Sequence, residues 1–354
     1  HGRMNKRNSV IAVVAVVLVF FVYLSLNQDE PEYTDIVSGN GRIEAVELNI
    51  ATKIAGRLEQ VWVNDGDFVL SGDKLAQLDT SSLQAELHQA QAQQKQANTA
   101  ITTAKSQIKQ RQAEQQATVA LVKQRQAELE LAEKRLQRVR SLAEQGSVST
   151  QDLDDAQATV VSTESAVAAA KSQLAASDAA IQTARSQLAN TEAAAEAAAA
   201  TLEHVQTQID DSLLLAPRDG RVQYIIARPG EVVAAGGRVI NMVDVSDVYM
   251  TVFLPTTTIG KISLGSDARI VLDALPEVNI PARVSFISDV AQFTPKTVET
   301  REEREKLMFR VRVSINKALL QQHLEQVKTG LPGVAYIKFD SRPAWPEALQ
   351  TELN

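Results

Sequence analysis

The sequence of 354 residues contains no cysteine. Disulfide scaffolds, thiolate metal sites, cysteine nucleophiles and acylated-cysteine lipoprotein anchors are therefore excluded. Aromatic residues are few, with eight Phe, five Tyr and two Trp, and none lies between Phe68 and Tyr224. Between Lys74 and Ala216 there is one glycine, Gly146, and no proline. Compact cores depend on aromatic burial, so this stretch is not a globular core. Its wealth of Ala, Gln, Glu, Leu and Lys/Arg predicts long helix instead. The four histidines (His1, His88, His204, His323) are far apart and have no ligand-spaced partner, so neither a metal site nor a cofactor is expected. The formal net charge is −7, and no basic stripe with interleaved aromatics points to nucleic acid.

One long hydrophobic run is present. Met4 reads as the natural start, Lys6 and Arg7 follow, and residues Val10 to Leu26 are apolar except for Ser25. Seventeen residues cover about 25 Å as a helix, just short of a ~30 Å hydrocarbon core, and Ser9 and Asn27 can sit at the interfaces. No small-x-small cleavage site follows at Leu24–Asp29, which favours an uncleaved anchor over a cleaved signal peptide. The basic residues precede the span, whereas Asp29, Glu30 and Glu32 follow it. This bias places the amino terminus in the cytoplasm and the bulk of the chain across the membrane, in a bacterial periplasm.

The chain also repeats itself. Gly56 and Gly220, Gly66 and Gly230, and Gly72 and Gly236 are each 164 positions apart. So are Leu58 and Val222, Val69 and Val233, Leu75 and Val239, and Leu78 and Met242. Both copies alternate apolar and polar residues, as short half-buried strands do, and Gly66 and Gly230 fall where tight turns need positive φ. The double pattern resembles the lipoyl/biotinyl domain, a flattened barrel of two similar halves. In that family a tight hairpin bearing the modified lysine joins the halves. Here about 133 residues, Thr80 to Ser212, replace it. No lysine at the junction has a carrier context, and Lys74 aligns with Arg238 on a surface turn. The domain is expected to be a scaffold and the protein not an enzyme.

The insert carries heptads. In the first arm Leu83, Leu87, Ala90, Ala97, Ile101, Ala104, Ile108, Val122, Leu129, Ala132, Leu136 and Val139 share one 4,3 register, its other positions holding Gln94, Arg111, Gln115, Thr118 and Arg125. The second arm continues likewise from Leu153 to Ile209. Such a period over eight or nine heptads predicts a coiled coil. Gly146 divides the insert into two similar arms, hence an antiparallel hairpin roughly 100 Å long. The second helix is expected to start at Ser149 or Thr150, with Asp152 favourable to the helix dipole. The first arm carries ten basic residues against six glutamates, the second only Lys171 and Arg185 against ten acids. Opposite signs favour pairing of the arms with each other or with those of a neighbouring subunit. The thin Ala/Leu seam implies that the hairpin gains from lateral packing with other copies.

At the turn, Arg138, Leu142 and Ser149 fit an R-x3-L-x6-S pattern. With an amino-terminal anchor and a split lipoyl-like domain, the chain resembles the periplasmic adaptor or membrane fusion proteins (HlyD-like) along nearly its whole length. The resemblance implies that the tip docks on a TolC-type outer-membrane channel and that six adaptors form a tube. It implies that Arg138 supplies a guanidinium fork, Leu142 apolar area and Ser149 a small polar contact. An all-β region follows, with strands expected at Val248–Leu254, Ala268–Leu272, Pro281–Ile287, Met308–Ile315 and Val334–Phe339. Turns are expected at Gly265, Pro276 and Gly330–Gly333, a short helical turn within Thr256–Ile262, and a charged loop over Phe293–Lys306. This resembles the family's β-barrel domain, to which Ile36–Ala51 adds a strand.

The expected fold is mixed α and β and elongated. Its parts are an anchor (1–27), a linker and barrel strand (28–50), a first lipoyl-like half (51–79) and the hairpin (80–212, tip 138–149). A second lipoyl-like half (213–244), the barrel (245–340) and a tail (341–354) complete it. The short tail leaves no room for the membrane-proximal domain usual in adaptors of proton-driven pumps, which favours an ABC-type inner-membrane transporter as partner. The expected function is a tripartite export adaptor on the inner membrane. A coiled-coil envelope tether and a lipoyl or biotin carrier subunit remain the alternatives.

Overall fold

A computed structural model describes residues 35–291, 307–339 and 344–350. The apolar run Val10–Leu26 and the charged loop Phe293–Lys306 lie outside the described residues. Among the described residues no helix is long and apolar enough to cross a membrane. The fold is mixed α/β, with two β domains and one long helical hairpin.

The repeat becomes a two-layered platform. Its first copy supplies β2 (Gly56–Val61), β3 (Phe68–Val69) and β4 (Lys74–Leu78). Its second supplies β6 (Gly220–Ile225), β7 (Val232–Val233) and the start of β8 (Arg238–Pro255). Each copy pairs with the other: β2 with β7, and β3 with β6. The turn bonds repeat at the same offset. Gly66 N donates to Val222 O at 2.8 Å, and Gly230 N to Leu58 O at 2.7 Å. Gly72 N donates to Ala216 O, and Gly236 N to Thr52 O, both at 2.8 Å. The matched side chains Leu58, Val222, Leu75, Val239, Leu78 and Met242 are all buried in one core. Gly66 and Gly230 have φ of 89° and 94°, left-handed values that L side chains resist.

The repeat extends further than the sequence pattern suggested. Short β5 (Leu213–Leu215) pairs with β4, and the end of β1 (Ile36–Ala51) pairs with β8. Ile50 and Leu214, again 164 apart, are both buried there. Residues assigned from sequence to the linker and barrel strand thus pack Leu48 and Ile50 against the platform core.

β1 and β8 also continue into the second domain. There β1, β12 (Pro332–Lys338), β9 (Asp267–Leu272), β10 (Leu275–Ile287), β11 (Met308–Ile315) and β8 form a closed antiparallel barrel. Its core includes Met250, Val252, Leu254, Ile270, Val311, Val313 and Ile337. The ribbon of β1 and β8 shifts register between Ala45 and Val46, where one core gives way to the other. At this joint Asp244 accepts from Arg218 Nη1 at 3.1 Å and from the Ser246 amide at 2.9 Å. Burial pushes the Asp244 carboxyl up, but the Ser246 hydroxyl and amide and Arg218 together hold it below its ordinary value. Arg221 of β6 donates to the carbonyls of Leu324, Glu325 and Val327, tying the platform to the barrel.

Two local expectations change. The turn placed at Pro276 lies at Asp273–Ala274, because Leu275 already pairs with Leu272 and residues 276–278 bulge from the ladder. Proline lacks the donor that a ladder needs, so it sits in the bulge. A helix without a forecast, α4 (Lys317–Gln322), follows β11, its amino end capped by Asn316 accepting from Ala318 N at 3.0 Å. The helical turn α3 (Thr256–Ile259) packs Ile259 against the barrel core, and Ile262 just beyond it is buried there.

The hairpin leaves the platform between β4 and β5. Leu78 N donates to Ser212 O at 2.9 Å, and Gln77 Nε2 to the buried Ser212 hydroxyl at 2.7 Å. Helix α1 (Ser81–Glu144) and helix α2 (Thr150–Asp211) run about 95 Å at 1.5 Å per residue. Small residues dominate the buried seam: Ala90, Ala104 and Ala132 face a second arm with Ala156, Ala170, Ala184 and Ala195.

The left-handed turn at Gly66 predicts that Gly66→Val lowers stability by about 1–2 kcal/mol, although nothing within 4 Å would meet the new Cβ. Gly260→Ala, at φ −70°, should change stability by less than about 0.5 kcal/mol. Urea unfolding of both variants checks this.

Candidate functional site at the hairpin tip

Two local motifs build the tip. Helix α1 stops at Glu144, and Gly146 takes φ 74°. Gly146 N donates to Ala143 O and Ser147 N to Leu142 O, both at 2.9 Å. This is a Schellman motif, which satisfies carbonyls that a helix end leaves unpaired. Helix α2 opens with a capping box: Asp152 N donates to Ser149 Oγ, and Ser149 N to Asp152 Oδ2, each at 3.1 Å. The Ser149 hydroxyl also donates to Asp152 at 2.6 Å. These bonds from the Ser149 hydroxyl and amide hold the Asp152 carboxyl below its usual value.

The three residues singled out from sequence therefore differ in what they offer. Arg138 and Leu142 lie four apart on one helical face. Arg138 is exposed and, among the described residues, makes no ion pair or side-chain hydrogen bond. Leu142 is 42% exposed, an unusual place for a large aliphatic side chain beside a helix end. Ser149 is across the turn with its hydroxyl engaged in the cap. It shapes the turn, and Arg138 and Leu142 stand exposed beside it.

Further features along the hairpin escaped the sequence pattern. Midway, where the first arm lacks large aliphatics, Thr118 Oγ1 and Ser177 Oγ are 3.0 Å apart and Gln115 donates to Asp178. Polar seam contacts of this kind fix register. The helix ion pairs, Arg111–Glu114, Arg125–Glu128 and Lys134–Glu130, all lie within α1. Among the described residues, no ion pair joins α1 to α2. The opposite charges of the arms thus form no direct ion pair within one hairpin. Leu131 (65% exposed) and Val161 (57%) stand outside the seam toward the tip. Their signal in the sequence is a large aliphatic off the heptad register.

Among the described residues no cluster of His, Asp or Glu is arranged to hold a metal. Lys74 is an exposed residue opening β4, not the tip of a hairpin turn as in a carrier domain.

Residues 111–191, which span the tip, match the family model for the "RND MFP, alpha-helical hairpin domain". A UPF0194 membrane protein in the asrC 5′ region of Acidithiobacillus ferridurans is 30% identical over 347 residues, covering 96% of this chain and 98% of that relative. This chain belongs to the UPF0194 membrane protein family. A UPF0194 relative from Yersinia pseudotuberculosis serotype O:3 is 27% identical over 329 residues, covering 93% and 98%. Among solved structures, the membrane fusion protein Spr0693 of Streptococcus pneumoniae R6 aligns with a TM-score of 0.48 and 17% identity, covering 86% of this chain and all of that one. The periplasmic adaptor EmrA aligns at 0.43 and 18%, covering 86% and 99%. The hairpin of this UPF0194 protein is of the membrane-fusion-protein type.

A carboxylate with a lowered pKa stabilises above its unfolded-state value and loses that contribution as pH falls through the folded value. The tip cap should therefore be intact at neutral pH and loosen only in acid. Carbon-detected NMR titration of Asp152 should give a midpoint below the ordinary value of about 3.9, and Ser149→Ala should return it to the ordinary range.

Proposed function

We propose that this protein is a non-enzymatic periplasmic adaptor that links an inner-membrane transporter to a TolC-type outer-membrane channel. The observation that carries it is the tip: an unpaired Arg138 and an exposed Leu142 share one face beside a turn fixed by two caps. A guanidinium fork suits backbone carbonyls and carboxylates on a channel rim, and Leu142 adds apolar area that becomes dry on docking. Ser149 acts in this reading as the residue that positions both. The anchor in Val10–Leu26 holds the chain to the inner membrane, with its amino terminus cytoplasmic.

Self-association, as a hexamer, is part of the same proposal. What supports it is the net-basic first arm and net-acidic second arm, which form no ion pair with each other among the described residues. Placed side by side, α1 of one copy meets α2 of the next with complementary charge. Leu131 and Val161 supply apolar contacts outside the seam.

The inner-membrane partner is proposed to be an ABC-type transporter. The RND name of the matched hairpin model weighs toward the proton-driven class, and co-purification of the transporter decides between them. A coiled-coil tether without transport is the second reading. It does not require an unpaired, exposed Arg138–Leu142 face at the tip.

Arg138→Asp should abolish co-purification of the outer-membrane channel and export, while helix content and membrane association stay unchanged. Wild-type co-purification and export by the variant would remove the docking claim.

A further inference from the structure

The barrel carries a half-open pocket of about 310 Å³ between α4, residues 323–331 and strands β1, β8, β9, β10 and β11. Eleven of its fourteen lining residues are aliphatic. Ile43, Val248, Leu272, Ile315, Leu319 and Leu320 form buried walls, and Leu275, 51% exposed, forms a lip. The polar lining is confined to His323, Gln326 and Lys328, all exposed at the mouth. Among the described residues no carboxylate pairs with Lys328.

Close-packed interiors seldom leave apolar space of this size, because walls facing a void lose dispersion contacts. The volume is about twice that of an engineered apolar cavity (~150 Å³) that takes up benzene. It therefore has room for an alkyl chain longer than benzene's six carbons. An apolar chain would enter past Leu275, while a charged head would stay in water at the mouth, since burying an unpaired charge is costly. The mouth carries positive charge from Lys328. Its walls are also held firmly: Arg221 of the platform bonds the carbonyls of Leu324, Glu325 and Val327 at 2.6–3.2 Å.

We propose that this barrel cavity is a binding site for a single-chain amphiphile with an anionic headgroup, its chain between α4 and the barrel strands and its head at Lys328. The site is separate from the hairpin tip and independent of tip docking.

The test uses the full chain in phosphatidylcholine nanodiscs and a diazirine-bearing dodecanoic acid as photoprobe, with labelled peptides mapped by mass spectrometry. Label should concentrate on residues 272–280 and 315–331. Lys328→Glu, on the exposed rim, should reduce it at least fivefold, and Ile280→Trp, which fills the cavity, should do the same. Arg138→Asp should leave it unchanged. If Ile280→Trp does not fold, Lys328→Glu carries the test. Competition by unlabelled dodecanoate alone identifies a free fatty acid, and competition by lysophosphatidylglycerol identifies a lysolipid. Label confined to residues 10–26, labelling insensitive to Lys328→Glu, or equal competition by dodecyltrimethylammonium would each overturn the proposal.

Discussion

The rest of the molecule depends on the exchange of backbone hydrogen bonds between two half-domains 164 residues apart. Neither half is a stable sheet alone, since each offers only short strands with unpaired edges. The pairings of β2 with β7 and β3 with β6 close the platform across the intervening chain. Closure brings Leu78 to within one hydrogen bond of Ser212. An insert whose two ends meet must go out and return. With one break near its middle, it becomes two equal antiparallel helices, and the break becomes the most distant point from the platform.

The same constraint sets the energetics of the hairpin. The platform supplies an anchored base, where Ser212 is buried and Lys53 pairs with Asp211. Beyond it the two helices hold each other through a seam mostly of alanine. Alanine lets helices approach closely and favours helix intrinsically, but it buries little area. Register is therefore entrusted to polar contacts at Thr118–Ser177 and Gln115–Asp178, and the turn to caps. A slender, weakly greasy rod depends on its base, its caps and its few polar contacts for a fixed shape.

Much of this was legible in the sequence, for physical reasons. Left-handed turns demand glycine, so Gly66 and Gly230 survive as markers in both copies, and buried pairs such as Leu75 and Val239 keep apolar identity. Heptads report a coiled-coil seam directly, and the half-buried Arg111 and Arg125 lie on that same register. Other features leave no local trace. A strand that crosses two domains reads like any alternating strand, so the shared ribbon of β1 and β8 was divided between them. The six-residue α4 is too short to show a period. The role of Ser149 depended on where its hydroxyl points: the S-x-x-D spacing signals a cap, whereas the tip pattern suggested a contact. The barrel cavity is assembled from four separate stretches of chain (Ile43, Val248, 272–280 and 315–331) and has no sequence signature.

The central claim is that the tip, held at the far end of the hairpin, touches an outer-membrane channel. The chain has no cysteine, so Gln145→Cys places its one thiol at the turn. With thiols introduced around the periplasmic mouth of a TolC-type channel, cells should yield a disulfide-linked adaptor–channel species. A cysteine at Gln77, at the hairpin base, should yield none. Equal cross-linking from both positions, or none from the tip in cells that export normally, would contradict the account.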